Sequence, residues 1–410
     1  MTINWKINTA LFLSGQALSQ FGSNVVQMAI MWHITLKSQS GSMMTLFTIV
    51  GILPMFFISP FAGVWADRYN RKHLINIADG TIAFFSMIVA VFLFFGYESY
   101  SILLLCAFFR SLGMGVQNPA VGSFIPMIVP TEHLTRINGF QSSIHSFVAV
   151  GSPMVAAALM TFAPLYNIFL LDVITATIGI VIVYFLVKIP ATMASNSTSS
   201  DISVKPSYAR ELREGFAYIK QQGYLLKMIT ITAIFIFMVA PAAYLTPLQV
   251  ARNFGDDVWR LSTIEITFFS GMLLGGLFIG YWGGFKNRIY TMTLSIIING
   301  LLIMGLGITS SFWFYAFLMA IIGIAIPLFN TPAIVILQTK TEPEYMGRVV
   351  SVTSMNNAIM MPLGMLFFGP LADIISLDLI MIITGAIITL LFIPILASKV
   401  LIKAGEPIGE

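Results

Sequence analysis

The residues in this chain best able to do chemistry are charges and amides set inside apolar runs. Arg110 lies in such a run, where a charge costs at least about 2.5–3.5 kcal/mol. It can persist there against a wet cavity, a carboxylate or backbone carbonyls. A contact with protons or cargo and a structural ion pair both fit. Asp79, Asp172, Glu265 and Asp373 lie in or beside other runs and could exchange a proton. Asp79 and Glu265 rank first among them, and Asp373 is placed at an inner helix end. Each could equally be an interface or helix-end charge. The acids that are candidates for proton coupling are therefore Asp79, Glu265 and Asp172.

The amides form stripes. Gln16, Gln20 and Gln27 fall on one helical face, and Gln141, His145 and Ser152 repeat their spacing. Arg110, Met114 and Gln117 share another face, and Asn356 and Asn357 sit together in a late run. A polar face against lipid is unfavourable, so these faces should turn inward, to wall a cavity or to bond neighbouring helices. His145 could titrate near neutral pH or be a packed hydrogen-bonding residue. Enzyme chemistry is not indicated. There is no Walker loop, and the four histidines are scattered. A single cysteine, Cys106, excludes an internal disulfide and a Cys-based metal site. No cofactor or metal is expected.

The elements that must hold these residues follow from composition. Of 410 residues, 57% are hydrophobic and 9% charged, where a soluble domain carries about 25% charged. Lipid is thus the main solvent, and spans of about 20 apolar residues are expected as helices. About twelve such runs can be drawn, from 9–35 to 378–401, with the seventh at 227–250. With the N-terminus inside, nearly all Lys and Arg fall in inner segments, and Lys37, Arg252 and Arg260 in outer ones. Both termini are therefore expected in the cytoplasm. The basic residues sit in short loops and form no continuous patch, which argues against nucleic acid as a partner.

The longest polar stretch divides the chain. Segment 189–226 opens with the flexible Ala191–Ser200 composition. Tyr208, Leu212, Phe216 and Ile219 then recur at helical spacing, which predicts a short amphipathic helix on the inner surface. The halves on either side match. Gly63, Trp65, Asn70 and Arg71 have counterparts in Gly280, Trp282, Asn287 and Arg288. Glu132…Arg136 and Glu344…Arg348 each follow a Pro-Ala helix, at a spacing that would pair the two charges on a helix. A membrane chain of two similar halves is most simply a transporter.

Gly63, Asp67, Arg68, Arg71 and Lys72 form a Gly-x-x-x-Asp-Arg-x-x-Arg-Lys loop. That pattern resembles the signature between the second and third helices of the major facilitator superfamily. Gln27–Ile30, Arg110–Gly113, Gly271–Gly276 and Glu344–Arg348 look most like the bacterial macrolide-efflux drug exporters of that superfamily. Siderophore exporters are a neighbouring group. The resemblance implies an all-α membrane protein of twelve transmembrane helices in two pseudo-symmetric six-helix bundles. It also implies that the Asp67 loop gates the carrier and that Arg110 serves proton relay and cargo contact. Three departures stand out. The fourth-helix glycines Gly113 and Gly115 fall one place early, and the fifth-helix antiporter pattern survives as Gly151 and Pro153 alone. The second-half loop carries Gly284 and Phe285 where an Asp-Arg pair would stand.

The expected organisation is a bundle at 1–188, a cytoplasmic linker at 189–226, a second bundle at 227–401 and a cytoplasmic tail at 402–410. The expected function is proton-coupled antiport of macrolide-type or other amphiphilic drugs from a bacterial inner membrane. Export of a siderophore or secreted metabolite is the alternative, and a non-transporting receptor or scaffold is the alternative of another class. Expected partners are a small amphiphilic substrate, protons and the bilayer. The chain is expected to be a monomer, and a cytosolic ATP-binding partner is left open.

Overall fold

The computed structural model describes residues 4–188 and 208–407, with side chains except at Asp67 and at residues 208–212. The Ala191–Ser200 stretch, the end of the tail at 408–410, and the side chains of Asp67, Tyr208 and Leu212 lie outside that description.

Among the described residues all regular structure is helical. The first half holds α1 (Trp5–Ser38), α2 (Gly41–Arg68), α3 (Arg71–Phe94), α4 (Tyr100–Ile128), α5 (Leu134–Phe162) and α6 (Leu165–Val181). A linker helix follows, α7 (Tyr208–Gln221). The second half holds α8 (Gly223–Tyr244), α9 (Thr246–Phe254), α10 (Val258–Trp282), α11 (Arg288–Ile308), α12 (Phe312–Lys340), α13 (Met346–Leu371), α14 (Leu377–Leu390), α15 (Phe392–Ala397) and α16 (Lys399–Ala404). Eleven helical segments among the described residues are long and apolar enough to cross a membrane. The remaining long helix, α1, has 34 residues but is diluted by Gln16, Gln20, Asn24 and Gln27.

The chain divides into two compact units, Met1–Lys37 with Leu46–Ile202, and Ser38–Thr45 with Ser203–Glu410. In unit 1, α1 packs closely on α6 through small residues. A side chain at Gly179 would meet the Gly15 carbonyl at 2.7 Å, and one at Gly22 would collide with Thr175. Below them Phe12, Ile75, Phe124, Ile128 and Val183 form a buried core. In unit 2, Gly271 and Gly275 of α10 lie against the backbone at Ala320 and Ile324 of α12, while Gly276 and Gly280 face open space. Small residues thus let helices approach where no hydrophobic force drives them together.

The internal repeat has a concrete form. Asn70 accepts a hydrogen bond from the Lys72 backbone at the start of α3, and Asn287 accepts one from Ile289 at the start of α11, both at 3.0 Å. Each residue is the N-cap that supplies a partner to an otherwise orphan helix N–H. The loop after α10 turns through Gly283 and Gly284, with φ of 75° and 82°, a conformation that favours glycine.

Three expectations need correction. The seventh span is broken at Leu245, because Pro247 opens a new helix and cannot donate to the preceding turn. The Glu-to-Arg pairs do not form. Glu132 lies in a 3-10 turn before α5 and Glu344 in a turn before α13, so helical spacing does not apply. Arg136 lies over the Phe140 ring, and Arg348 pairs at 3.1 Å with Glu214 of α7. Asp373, expected at an inner helix end, follows the far end of α13 and meets Ser40, Gly41, Ser42 and Arg252. That is the side carrying the segments read as outer, because α13 begins beside the inner Lys340 and Arg348. The linker helix α7 does form. Its Ile219 and Tyr218 are buried, Phe216 is exposed, and Tyr218 stacks on Tyr345 at 4.3 Å.

Candidate functional site: a buried polar ladder and an amide-walled cavity

Unit 1 carries its charges deep inside. Arg110 is 2% exposed and donates to Asp172, to Ser86 and, at 2.9 Å, to the Ser23 carbonyl. Asp172 is fully buried and accepts further bonds from Ser86 at 2.6 Å and Ser23 at 3.0 Å. Both carboxylate oxygens are therefore satisfied, which a buried charge requires. Arg110 thus sits buried among α1, α3, α4 and α6.

A second carboxylate lies along the same interior. Asp79 of α3 is 1% exposed and accepts from Ser19 Oγ at 2.8 Å, Gln117 Nε2 at 2.6 Å and Gln16 Nε2 at 3.3 Å. Ser19 and Ser23 are one turn apart on α1, and Asp79 and Ser86 are two turns apart on α3. The spacings line the groups up as a ladder from Gln16 and Gln117, through Asp79 and Ser19, to Ser23, Asp172 and Arg110.

The ladder opens on a cavity of about 110 Å³, walled by Gln16, Gln20, Gln117, Gln141 and His145 with Phe12 among its apolar lining. Gln20 Nε2 donates to His145 Nδ1 at 2.8 Å. Five residues picked from the sequence as cavity candidates thus come together. Met114, Gln27, Asn356 and Asn357 do not line this cavity; the last two lie on α13 of unit 2, with Asn357 exposed. Glu265 is half-buried on α10 in unit 2. Gly151 and Pro153 lie on α5, where Pro153 is buried and Gly151 faces Phe21. The hydroxyls of Ser19, Ser23 and Ser86 escaped the sequence reading. Their signal was the one-turn offset from Gln16 and Gln20 and the two-turn offset from Asp79.

At the end of α2, Arg71 Nε donates to the Ala66 carbonyl at 2.8 Å, Lys72 Nζ donates to the Val187 carbonyl at 2.8 Å, and Arg68 is exposed. Gly63 has open space where a side chain would stand. The three basic residues read as outer each meet a carboxylate: Lys37 with Glu98, Arg252 with Asp373 and Arg260 with Asp257. The bond from Lys37, outweighing burial, holds Glu98 below the usual carboxylate range.

Long apolar helices in two units, a repeated loop-and-cap and a sealed ion pair beside an amide-walled cavity define a membrane carrier. The chain matches the Major Facilitator Superfamily model over residues 12–365 and belongs to that family, whose members are transporters and not enzymes. It is 32% identical over 387 residues to macrolide efflux protein A of Streptococcus pyogenes, covering 94% of each chain. It is 23% identical over 381 residues to the multidrug efflux pump Tap of Mycobacterium bovis, covering 88% of this chain and 86% of that one. Its fold is similar to that of a bacterial homolog of the human lysosomal transporter Spinster, with TM-score 0.73, 15% identity and full coverage of both chains.

Proposed function

We propose that this transporter is a proton-coupled exporter of macrolides and related amphiphilic drugs, working by alternating access in a bacterial plasma membrane. The observation that carries the reading is Asp79, a buried carboxylate bonded to two glutamines that themselves wall a cavity. A carboxylate so placed links proton occupancy to the surface a cargo would touch. Likeness to macrolide efflux protein A over 94% of the chain supports the cargo class. The reading takes the bundles as 1–188 and 227–401, with the linker, the tail and both termini in the cytoplasm. It takes Asp67, Arg68, Arg71 and Lys72 as the gate, Arg110 with Asp172 as the fixed ionic support of the ladder, and a monomer, with a cytosolic ATP-binding partner left open. Glu265 is a second proton candidate.

The test is purified protein in proteoliposomes with erythromycin. An imposed proton gradient should drive erythromycin movement, and erythromycin should in turn drive proton movement. Transport with no proton movement would remove the coupling. Proton-linked transport of other compounds with none of any macrolide would remove the cargo assignment.

A further inference from the structure

The two amides on Asp79 carry more information than their distances. Gln117 Nε2 donates both to Asp79 Oδ1, at 2.6 Å, and to Gln16 Oε1, at 3.3 Å, while Gln16 Nε2 donates to Asp79 Oδ2. An ionised carboxylate accepts hydrogen bonds and donates none. It therefore fixes both amides with their N–H groups turned inward. The Gln16 carbonyl is spent on Gln117. Among the described residues of unit 1 the Gln117 carbonyl accepts no hydrogen bond, and it belongs to a residue of the cavity wall.

We infer that Asp79 reads the proton by amide inversion: its ionisation decides whether the cavity wall offers acceptors or donors to cargo. When Asp79 takes a proton from water, its new O–H must find an acceptor. Two groups on Oδ1 can serve: Ser19 Oγ, at 2.8 Å, by rotating its own hydroxyl, and the Gln117 amide, at 2.6 Å, by turning over to present its carbonyl. We take the second, and an infrared amide band unmoved by pH would assign the proton to Ser19 and overturn the inversion. Rotation of the Gln117 amide sends its N–H groups to the cavity. The ionised protein then holds cargo that donates hydrogen bonds, such as an ammonium or a hydroxyl-bearing ring, and the protonated protein releases it. The inference rests on the exporter reading and narrows it to donor-rich cargo.

The charged and titratable groups around this node are few. Asp172 of α6 and Arg110 of α4 face it from deeper in the ladder and bond each other. His145 of α5 bonds Gln20 and not Asp79. Protonation of His145 would cost its Nδ1 acceptor and turn the Gln20 amide in the same sense. The effect of Asp79 is therefore isolated in a His145→Gln background.

Two readouts test the inference on the full chain in nanodiscs, titrated from about pH 7.5 down to about pH 4, near the ordinary Asp value. The first is binding of erythromycin, which carries hydroxyl and ammonium donors, against tetraphenylphosphonium, a cation with none. In the His145→Gln background erythromycin should bind about tenfold more weakly at the lower pH, with a smaller change for tetraphenylphosphonium. Asp79→Asn should make erythromycin binding independent of pH. Equal slopes for both probes would show simple charge competition and overturn the inversion. The second readout needs no cargo. The infrared difference spectrum between the two pH values should contain a protonated-carboxyl band lost in Asp79→Asn and a glutamine amide band lost in Gln117→Leu. If erythromycin fails to bind while both bands behave as expected, the macrolide reading fails and the inversion stands. If Gln117→Leu removes no part of the amide band, or Asp79→Asn removes no part of the carboxyl band, to which Glu265 can also contribute, the inversion is wrong whatever the cargo.

Discussion

Unit 1 seals Arg110, Asp172 and Asp79 inside, each at most 2% exposed, whereas the fully buried polar residues of unit 2 are neutral. Gln249, Ser295 and Asn299 are completely buried there. Gln249 Nε2 donates to Asp378 at 2.7 Å and to the Leu306 carbonyl at 3.0 Å, and Tyr315 donates to Gln249 at 2.9 Å. The carboxylate in this network is half-buried at the first turn of α14, where a helix N-terminus favours it. The duplicated halves share caps and small-residue contacts, but they differ in charge. A buried charge is costly and a neutral hydrogen-bonded group much less so. The difference therefore places the sealed ion pair in unit 1, while in unit 2 the half-buried Glu265 of α10 is the carboxylate proposed to exchange a proton.

The contrast breaks most visibly at Arg110. Arg110→Met leaves Asp172 ionised and sealed from water, which should cost about 3–5 kcal/mol of stability. Arg110→Met combined with Asp172→Leu removes both charges and should recover most of that loss. Thermal unfolding in detergent checks both. If the double variant also exports normally, the pair is a support and the coupling rests on Asp79. If it folds but cannot export, Arg110 has a further role in the cycle. The corresponding change in unit 2, Gln249→Leu, strands Tyr315 and the Leu306 carbonyl and should cost about 1–3 kcal/mol. A loss at Gln249 as large as that at Arg110 would erase the proposed difference between the units.

Glycines sharpen the framework side, because two changes in one helix should have opposite signs. A side chain at Gly271 would run into the Ala320 carbonyl, whereas one at Gly276 meets nothing within 4 Å. Gly271→Ala should destabilise by about 1–3 kcal/mol. Gly276→Ala should stabilise by up to about 1 kcal/mol, since alanine is the better helix former. Denaturation midpoints of the two variants check the signs.

Much of this was legible in the chain. The fold class followed from long apolar runs, since lipid forces helices and a charged fraction of 9% forces lipid. Gln16, Gln20, Gln117, Gln141 and His145 could be found because a polar stripe at helical spacing has nowhere to go but inward. What the sequence hides is partnership between distant positions. Arg110 and Asp172 are both visible as anomalies, yet nothing in their spacing says that they meet. The serines that complete the ladder are too common in apolar helices to stand out singly. The Glu132 and Glu344 expectations failed for a local reason: helical pairing was assumed across turns that precede the helix. Asp373 was misplaced because its helix direction was not carried through from the inner Lys340 and Arg348.

A small effect with a defined pH dependence is expected at Asp373, in unit 2. Asp373 Oδ1 accepts from the Gly41 N–H at 2.6 Å, and Oδ2 accepts from the Ser42 N–H at 2.9 Å and Ser40 Oγ at 3.0 Å. It thus closes the exposed N-terminus of α2 as a cap contributed by a distant segment. Partial burial pushes its carboxyl up, but the bonds from Ser42, Gly41 and Ser40 together hold it below its ordinary value of 3.8. A carboxyl depressed in the folded state stabilises above its unfolded value, and that contribution disappears as pH falls through the folded value. Asp373→Ala should therefore cost about 0.5–2 kcal/mol, the usual worth of a cap. The cost should be constant between about pH 5.5 and about pH 7.5 and shrink below about pH 4. Melting temperatures of wild type and variant across that range check it. A gap that changes within the upper window would mean that a group other than Asp373 titrates against the cap, and the assignment of the pH dependence to Asp373 would fail.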